Sequence, residues 1–255
     1  MRGLGVFLGK ELREIARTWR IWVLPGIVLF FAISGPPLAE VTPQLLSSVM
    51  ESQGTGAVIE LPDPTYVDAY LQWTKNLSQI VIFALIIMFA GAISAEKRGG
   101  TAILALTKPL TRPAFVLGKL LSHTILLTVT TLVGAAVTWG LTLAVFGEAP
   151  LAPLAGATGV WLVSALFFVA LMMLLSSAVD SQAGAAGLGF VVYLLLSIAT
   201  IWEPAVTYSP AALVNAPTEI AMSETVALGW PIGTTIALTV LLALAAVAVF
   251  RKREL

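Results

Sequence analysis

Cysteine is absent from the 255 residues, and histidine occurs once, at His123. The first absence removes disulfides, thiolate metal sites and cysteine nucleophiles. The second leaves no cluster from which a zinc site or a histidine-based acid–base pair could be built. Charge is scarce too: 11% of residues carry one, against 58% that are hydrophobic, which is too little polar surface to coat a soluble globule of this length. No G-x-x-x-x-G-K-[ST] phosphate loop occurs, and the Gly-rich run from Gly184 to Gly189 lies in an apolar stretch without a lysine. The chain therefore reads as an integral membrane protein, not an enzyme, with no ATPase of its own.

What is present is a set of six apolar runs, each long enough to cross ~30 Å of hydrocarbon as a helix. They fall at 21–39, 77–95, 117–146, 154–179, 183–201 and 230–250. Positive charge is distributed around them with strong bias. Arg2, Lys10, Arg13, Arg17 and Arg20 precede the first run; Lys97, Arg98, Lys108, Arg112 and Lys119 lie between the second and third or just inside it; Arg251, Lys252 and Arg253 follow the sixth. Only Lys75 falls on the opposite side. Because Lys and Arg beside a span are retained in the cytoplasm, both termini are expected there. The formal net charge of zero carries no message about nucleic acid, since the inner cations are balanced mostly by outer acids. No A-x-A pattern precedes Glu40, so the first run is expected to remain as a span and not be cleaved as a signal peptide. The third run exceeds one crossing and is expected to tilt or project, with His123 near its inner end.

The expected organisation is all-α: a leader helix over 1–20, two spans within 21–95 enclosing an outer loop at 40–76, an inner segment at 96–114, four spans within 115–250 and a tail at 251–255. In the leader, Leu4, Leu8, Leu12, Ile15 and Trp19 recur at helical spacing, with Lys10, Arg13, Glu14 and Arg17 on the rest of the wheel. That pattern predicts an amphipathic helix at the inner leaflet, bending into the first span at Pro25. In the outer loop, Tyr66, Tyr70 and Trp73 predict a helix lying at the interface with its aromatics at headgroup depth. Between the fifth and sixth runs, Pro204, Pro210 and Pro217 predict short, broken helices on the outer side.

The inner segment from Glu96 to Arg112 is the most informative. Gly99 and Gly100 free the backbone to turn, Thr101 can cap a helix, and Pro109 must end it. The resulting two-turn helix, with Ile103, Leu104 and Leu106 in its apolar body, cannot stand alone in water. It either folds back on the spans or docks into a cytoplasmic partner. Glu96, Gly100-Thr101, Leu104, Leu106, Pro109, Thr111-Arg112, Phe115 and Gly118-Lys119, preceded by the Lys10-Glu11-Leu12 helix, resemble the membrane permease subunit of ATP-binding cassette transporters of the type-2 exporter class. That resemblance implies that the leader, with Lys10, Arg13, Arg17 and Trp19, is an interfacial elbow helix. It implies that Glu96, Thr101, Ile103, Leu104 and Leu106 form a coupling helix for a separate ATPase, with Asp180 in a second, smaller contact. It further implies a plasma-membrane dimer of permeases, two ATPase subunits that bind ATP and Mg in place of this chain, and export of an unspecified substrate.

Ala183 with Gly187 and Ala185 with Gly189 supply small-xxx-small spacing, so that this run, Gly184, Gly187 and Gly189 included, reads as a surface for close helix packing, within one chain or across a dimer. Intramembrane catalysis and ion-driven transport are disfavoured because the span interiors, away from their charged ends, hold no ionisable residue of the kind such chemistry needs apart from His123. The alternative that survives is a non-transporting anchor or sensor that recruits a cytoplasmic protein through the same apolar helix.

Overall fold

The computed structural model describes residues 3–52, 62–100 and 110–253, and among them every regular element is helical. Six helical columns are long and apolar enough to cross a bilayer, as the sequence predicts: Ile21–Val49, Tyr66–Arg98, Arg112–Phe146, Leu151–Ala178, Gln182–Ala199 and Gly229–Lys252. We call these the first to sixth spans. The second and fourth form the centre, with 67% and 61% of their most apolar windows buried, against 11% for the fifth and sixth. The fifth and sixth therefore present most of their surface outward, where apolar side chains suit lipid.

The elbow helix, Leu4–Arg17, ends where Thr18 turns extended and bonds back to the Ile15 carbonyl. The bend into the first span thus sits at Thr18 and Trp19, not at Pro25. Pro25, Pro36, Pro37 and Pro43 all lie inside the helix Arg20–Ser52, which continues well past the expected end near Ala39. A proline inside a helix removes one backbone bond, but membrane helices tolerate the loss because neighbouring chains and hydroxyls satisfy the freed groups. Thr42, Ser47 and Ser48 each donate to a carbonyl three or four residues earlier in this outer part.

The aromatic segment of the outer loop is also corrected. Tyr66–Asn76 is the outer end of the second span's column and not a separate interfacial helix. It begins at Thr65, whose backbone N–H donates to the Asp68 carboxylate at 2.8 Å, while the Thr65 side chain meets the N–H of Asp68 in a reciprocal capping box. Tyr70 and Trp73 are buried: the Tyr70 hydroxyl donates to the Pro150 carbonyl and Trp73 Nε1 donates to Thr158, both at the outer end of the fourth span. Helical spacing identified a face but not what that face meets.

The third span starts five residues before the expected 117, where the Thr111 side chain accepts from the Ala114 N–H. It ends at Gly147, whose φ of 75° is the left-handed cap. Its 35 residues extend ~52 Å, well beyond the hydrocarbon thickness. Outer helices Glu203–Tyr208 and Ala212–Ala221 separate the fifth and sixth spans, matching the short broken helices expected there.

Candidate functional site

Two charge clusters gather the ends of these helices at one end of the bundle. In the first, Lys119 of the third span is fully buried, its Nζ 3.0 Å from Glu11 of the elbow and 2.5 Å from Glu96 at the end of the second span. Lys10 extends the network, 2.9 Å from Glu11 and 2.5 Å from Glu14. Aromatic rings support it: Phe7 meets Phe115 at 5.2 Å, Phe115 stacks on Phe250 of the sixth span at 5.1 Å, and the Lys119 ammonium lies 5.3 Å from the Phe115 ring centre. The elbow reaches this position because Gly118 has no side chain; a Cβ there would stand 2.5 Å from Phe7 Cδ1.

Local backbone chemistry presents Glu96. The helix of the second span is interrupted after Phe89 and resumes as Ser94–Arg98. Ser176 of the fourth span covers that break, its hydroxyl oxygen accepting from the N–H groups of Ile93 at 2.9 Å and Ser94 at 3.1 Å. The last turn is thereby held in register while aimed away from the column. Glu96 then turns toward Lys119, and Lys97 toward the second cluster.

In that second cluster Asp180, in the turn between the fourth and fifth spans, pairs with Lys97 at 2.7 Å and with Arg253 at 3.1 Å. Arg253 also donates to the Ala178 carbonyl, while Arg112 donates to the carbonyls of Arg251 and Arg253 at 2.7 and 3.0 Å. With the first cluster, these contacts bring the N-terminal helix and the end of the sixth span to the same end of the molecule. Asp180 is largely exposed, so its pairs orient more than they stabilise.

Burial by itself would raise the Glu11 carboxyl, but the Lys119 charge and the hydrogen bonds from Lys10 and Lys119 outweigh it and hold Glu11 below the ordinary 4.5. For Lys10, burial opposes the charge, yet the bonds to Glu14 and Glu11 raise it above the ordinary 10.5. At Asp180 the hydrogen bond from Lys97 leads, and the carboxyl is lowered. The signs define a window. The depressed Glu11 contributes stability above 4.5 that is lost as pH falls through its lowered value; the raised Lys10 contributes below 10.5 and is lost as pH climbs past its raised value. Elbow attachment, read from the mobility of a spin label on that helix, is expected to stay constant between those limits and to fail beyond each. A loss of attachment centred near neutrality would contradict this.

Carboxylate oxygens of Glu11, Glu14 and Glu96 lie within 4.8 Å of one another, a spacing that a cation could bridge. Two ammonium groups already stand against them, so the arrangement reads as an ion network and not as a metal centre. His123 is buried beside it, with Nδ1–H donating to the Lys119 carbonyl at 2.6 Å and the ring edge-on to Phe89 at 4.4 Å. Its contacts are those of a packed side chain that helps seat Lys119.

Of the residues singled out from the sequence, Glu96 and Lys10 share the first cluster and Asp180 anchors the second. Arg13, Arg17 and Trp19 are exposed on the elbow. Thr101, Ile103, Leu104 and Leu106 lie outside the described residues. Gly189 packs within the chain: a Cβ there would stand 2.7 Å from Met172 Sδ and 3.0 Å from Ile86. Gly187 faces open space and Gly184 is exposed near its own Val179 and Ser181. The buried face of the elbow is Phe7, Glu11 and Ile15, rotated from the expected leucine stripe and pressed on protein. Sequence reasoning missed Glu11 and Lys119 as a pair. The available signal was that Glu11 stands at i+4 from Phe7 and i−4 from Ile15, a carboxylate on an otherwise apolar face.

The family described as ABC-2 family transporter protein matches residues 6–229. The chain is also 38% identical over 110 residues to the Probable ABC transporter permease protein NosY of Pseudomonas aeruginosa. That alignment covers 42% of this chain and 40% of the relative, so the similarity spans well under half of either protein.

Proposed function

The chain belongs to the ABC-2 family of transporter proteins and is a multi-pass membrane protein, and on that premise we propose that it is the plasma-membrane permease subunit of an ATP-driven exporter. A separate cytoplasmic ATPase binds ATP and Mg and docks on the segment 101–106, and two permease copies complete the assembly. The observation that carries this reading is the Glu11–Lys119–Glu96 network. Glu96 precedes the docking segment and Lys119 follows it, so the ion pair staples the segment's two flanks together and joins both to the elbow. A push delivered between these flanks reaches three helices at once. The positive charges of the elbow, the second span's end and the tail support a cytoplasmic position for that end, by the retention of basic flanks.

For ATP to drive transport, the docking segment must make different contacts in the two nucleotide states. Leu104→Asp puts a charge into its apolar body and is expected to abolish both ATPase co-purification and ATP-driven substrate movement in proteoliposomes, while the permease still inserts. Normal coupling in that variant would remove the docking assignment. Recruitment of an ATPase with no vectorial movement, even for the unaltered chain, would favour an anchor or sensor instead.

A further inference from the structure

At the end of the bundle opposite the charge clusters, a cavity of about 390 Å³ lies between the short outer helices and the start of the sixth span, within the ~300–1,000 Å³ range of small-molecule sites. Thr200 at the end of the fifth span, Thr207 in the helix Glu203–Tyr208, and Trp230 and Pro231 in the sixth span stand around it. The helix Ala212–Ala221 forms the remaining wall. Ala211, Asn215 and Glu219 line the cavity at successive helical turns, so one face of that helix is turned to it.

Charge decides what this space suits. Among the described residues, Glu219 is the one charged member of the lining and has no ion pair. No Lys, Arg or His occurs from Trp202 to Gly229. Glu219 also stands in the last turn of its helix, where the negative end of the macrodipole disfavours a carboxylate and favours a cation. A calcium-like metal ion is poorly served, because it takes about six to eight oxygens and the walls offer one carboxylate beside Val206, Val226 and Ala227. An organic ammonium is served well. Trp230 supplies an indole surface for a cation, and the Tyr208 ring braces that indole at 6.2 Å in a T-shaped contact.

We propose that this outer cavity binds an organic ammonium group, with the Glu219 carboxylate paired to its charge and Trp230 packed on its alkyl groups. Choline, free or as a phospholipid headgroup, is the simplest probe of that chemistry. The cavity's position on the outer side rests on the membrane reading, but binding there depends neither on the ATPase nor on transport.

The permease, with its ATPase when that co-purifies, is placed in phosphatidylglycerol nanodiscs and equilibrated with radiolabelled choline, alone or against dimethylbutanol, its uncharged carbon isostere; counts on empty discs are subtracted. The unaltered protein is expected to bind about one choline per chain saturably, and the isostere about tenfold more weakly or worse. Glu219→Gln, which keeps the side chain's shape, is expected to weaken choline to the same degree. Glu219→Asp should keep part of the affinity, and Glu224→Gln, outside the lining, all of it. Trp230→Leu is expected to cost about threefold or more. Repeating the titration in phosphatidylcholine discs separates the sources. Weaker binding of free choline there means that a lipid headgroup fills the cavity, and equal binding means that a free solute does; both are ammonium occupants. No saturable choline binding in phosphatidylglycerol discs, equal affinity for the isostere, or unchanged affinity in Glu219→Gln would overturn the proposal. Each of these would leave the permease reading standing, because ATP-driven transport is measured separately.

Discussion

Replacing Lys119 with Met releases the elbow and lowers stability by about 3–5 kcal/mol, the range for removing one partner from a buried ion pair. The magnitude follows from burial. Lys119 and Glu11 are both fully buried, unlike the exposed Asp180 pairs, whose loss in Asp180→Asn should change stability little. Met preserves most of the volume and length of the lysine, so the effect isolates charge. Without the ammonium, Glu11 and Glu96 are left close together with no countercharge between them, and letting the elbow swing out relieves the repulsion. Adding Glu11→Gln to Lys119→Met removes one of the stranded charges and should recover part of the loss, so the double variant is expected to unfold at a higher temperature than the single. Equal midpoints for Lys119→Met and the unaltered chain would rule out the network as the elbow's anchor.

Gly118→Ala is the second large effect. The added Cβ would stand 2.5 Å from Phe7 Cδ1 and 3.1 Å from Cε1. Phe7 is buried and in contact with Phe115, so the ring has no free space into which to step. Overpacking of this kind costs about 1–3 kcal/mol, and here the cheapest relaxation moves the elbow away from the third span, opening the Glu11–Lys119 pair to water. Gly140→Ala in the same helix meets nothing within 4 Å and is the control; with alanine's better helix propensity it should be neutral or slightly stabilising. Thermal unfolding of the two variants separates a packing requirement from a general sensitivity of this helix. If both behave alike, the close approach of Phe7 to Gly118 is not what seats the elbow.

The sequence made some of this visible and hid the rest for identifiable reasons. Six spans were legible because length and apolarity alone decide whether a helix can cross a bilayer, and the short outer helices followed from the prolines at 204, 210 and 217. The continuation of the first span beyond residue 39 and through Pro43 was not legible, because proline reads as a terminator in water and is tolerated in a membrane helix. Tyr70 and Trp73 looked like interfacial aromatics until their hydroxyl and indole N–H were found bonded to Pro150 and Thr158. Glu96 and Asp180 were recognised as positions near the docking region, yet their partners were not. Glu11 and Lys119 are 108 residues apart in sequence, and no local pattern reports so distant a pairing. Lys119 itself resembled an ordinary basic flank of a span, although it is among the most deeply buried side chains of the molecule.

In the proposed function, the elbow and the two flanks of the docking segment move as one body when the ATPase acts. The absence of native cysteine makes this directly measurable with paired spin labels in the reconstituted complex. With Gly9→Cys and Arg98→Cys, the elbow-to-flank distance should be the same with and without bound ATP. With Gly9→Cys and Ile201→Cys, the distance from the elbow to the outer end of the fifth span, which is outside the network and exposed at Ile201, should shift between the two states. A change in the first distance comparable to that in the second would mean that the ion network opens during the cycle, contradicting the claim that it transmits the motion.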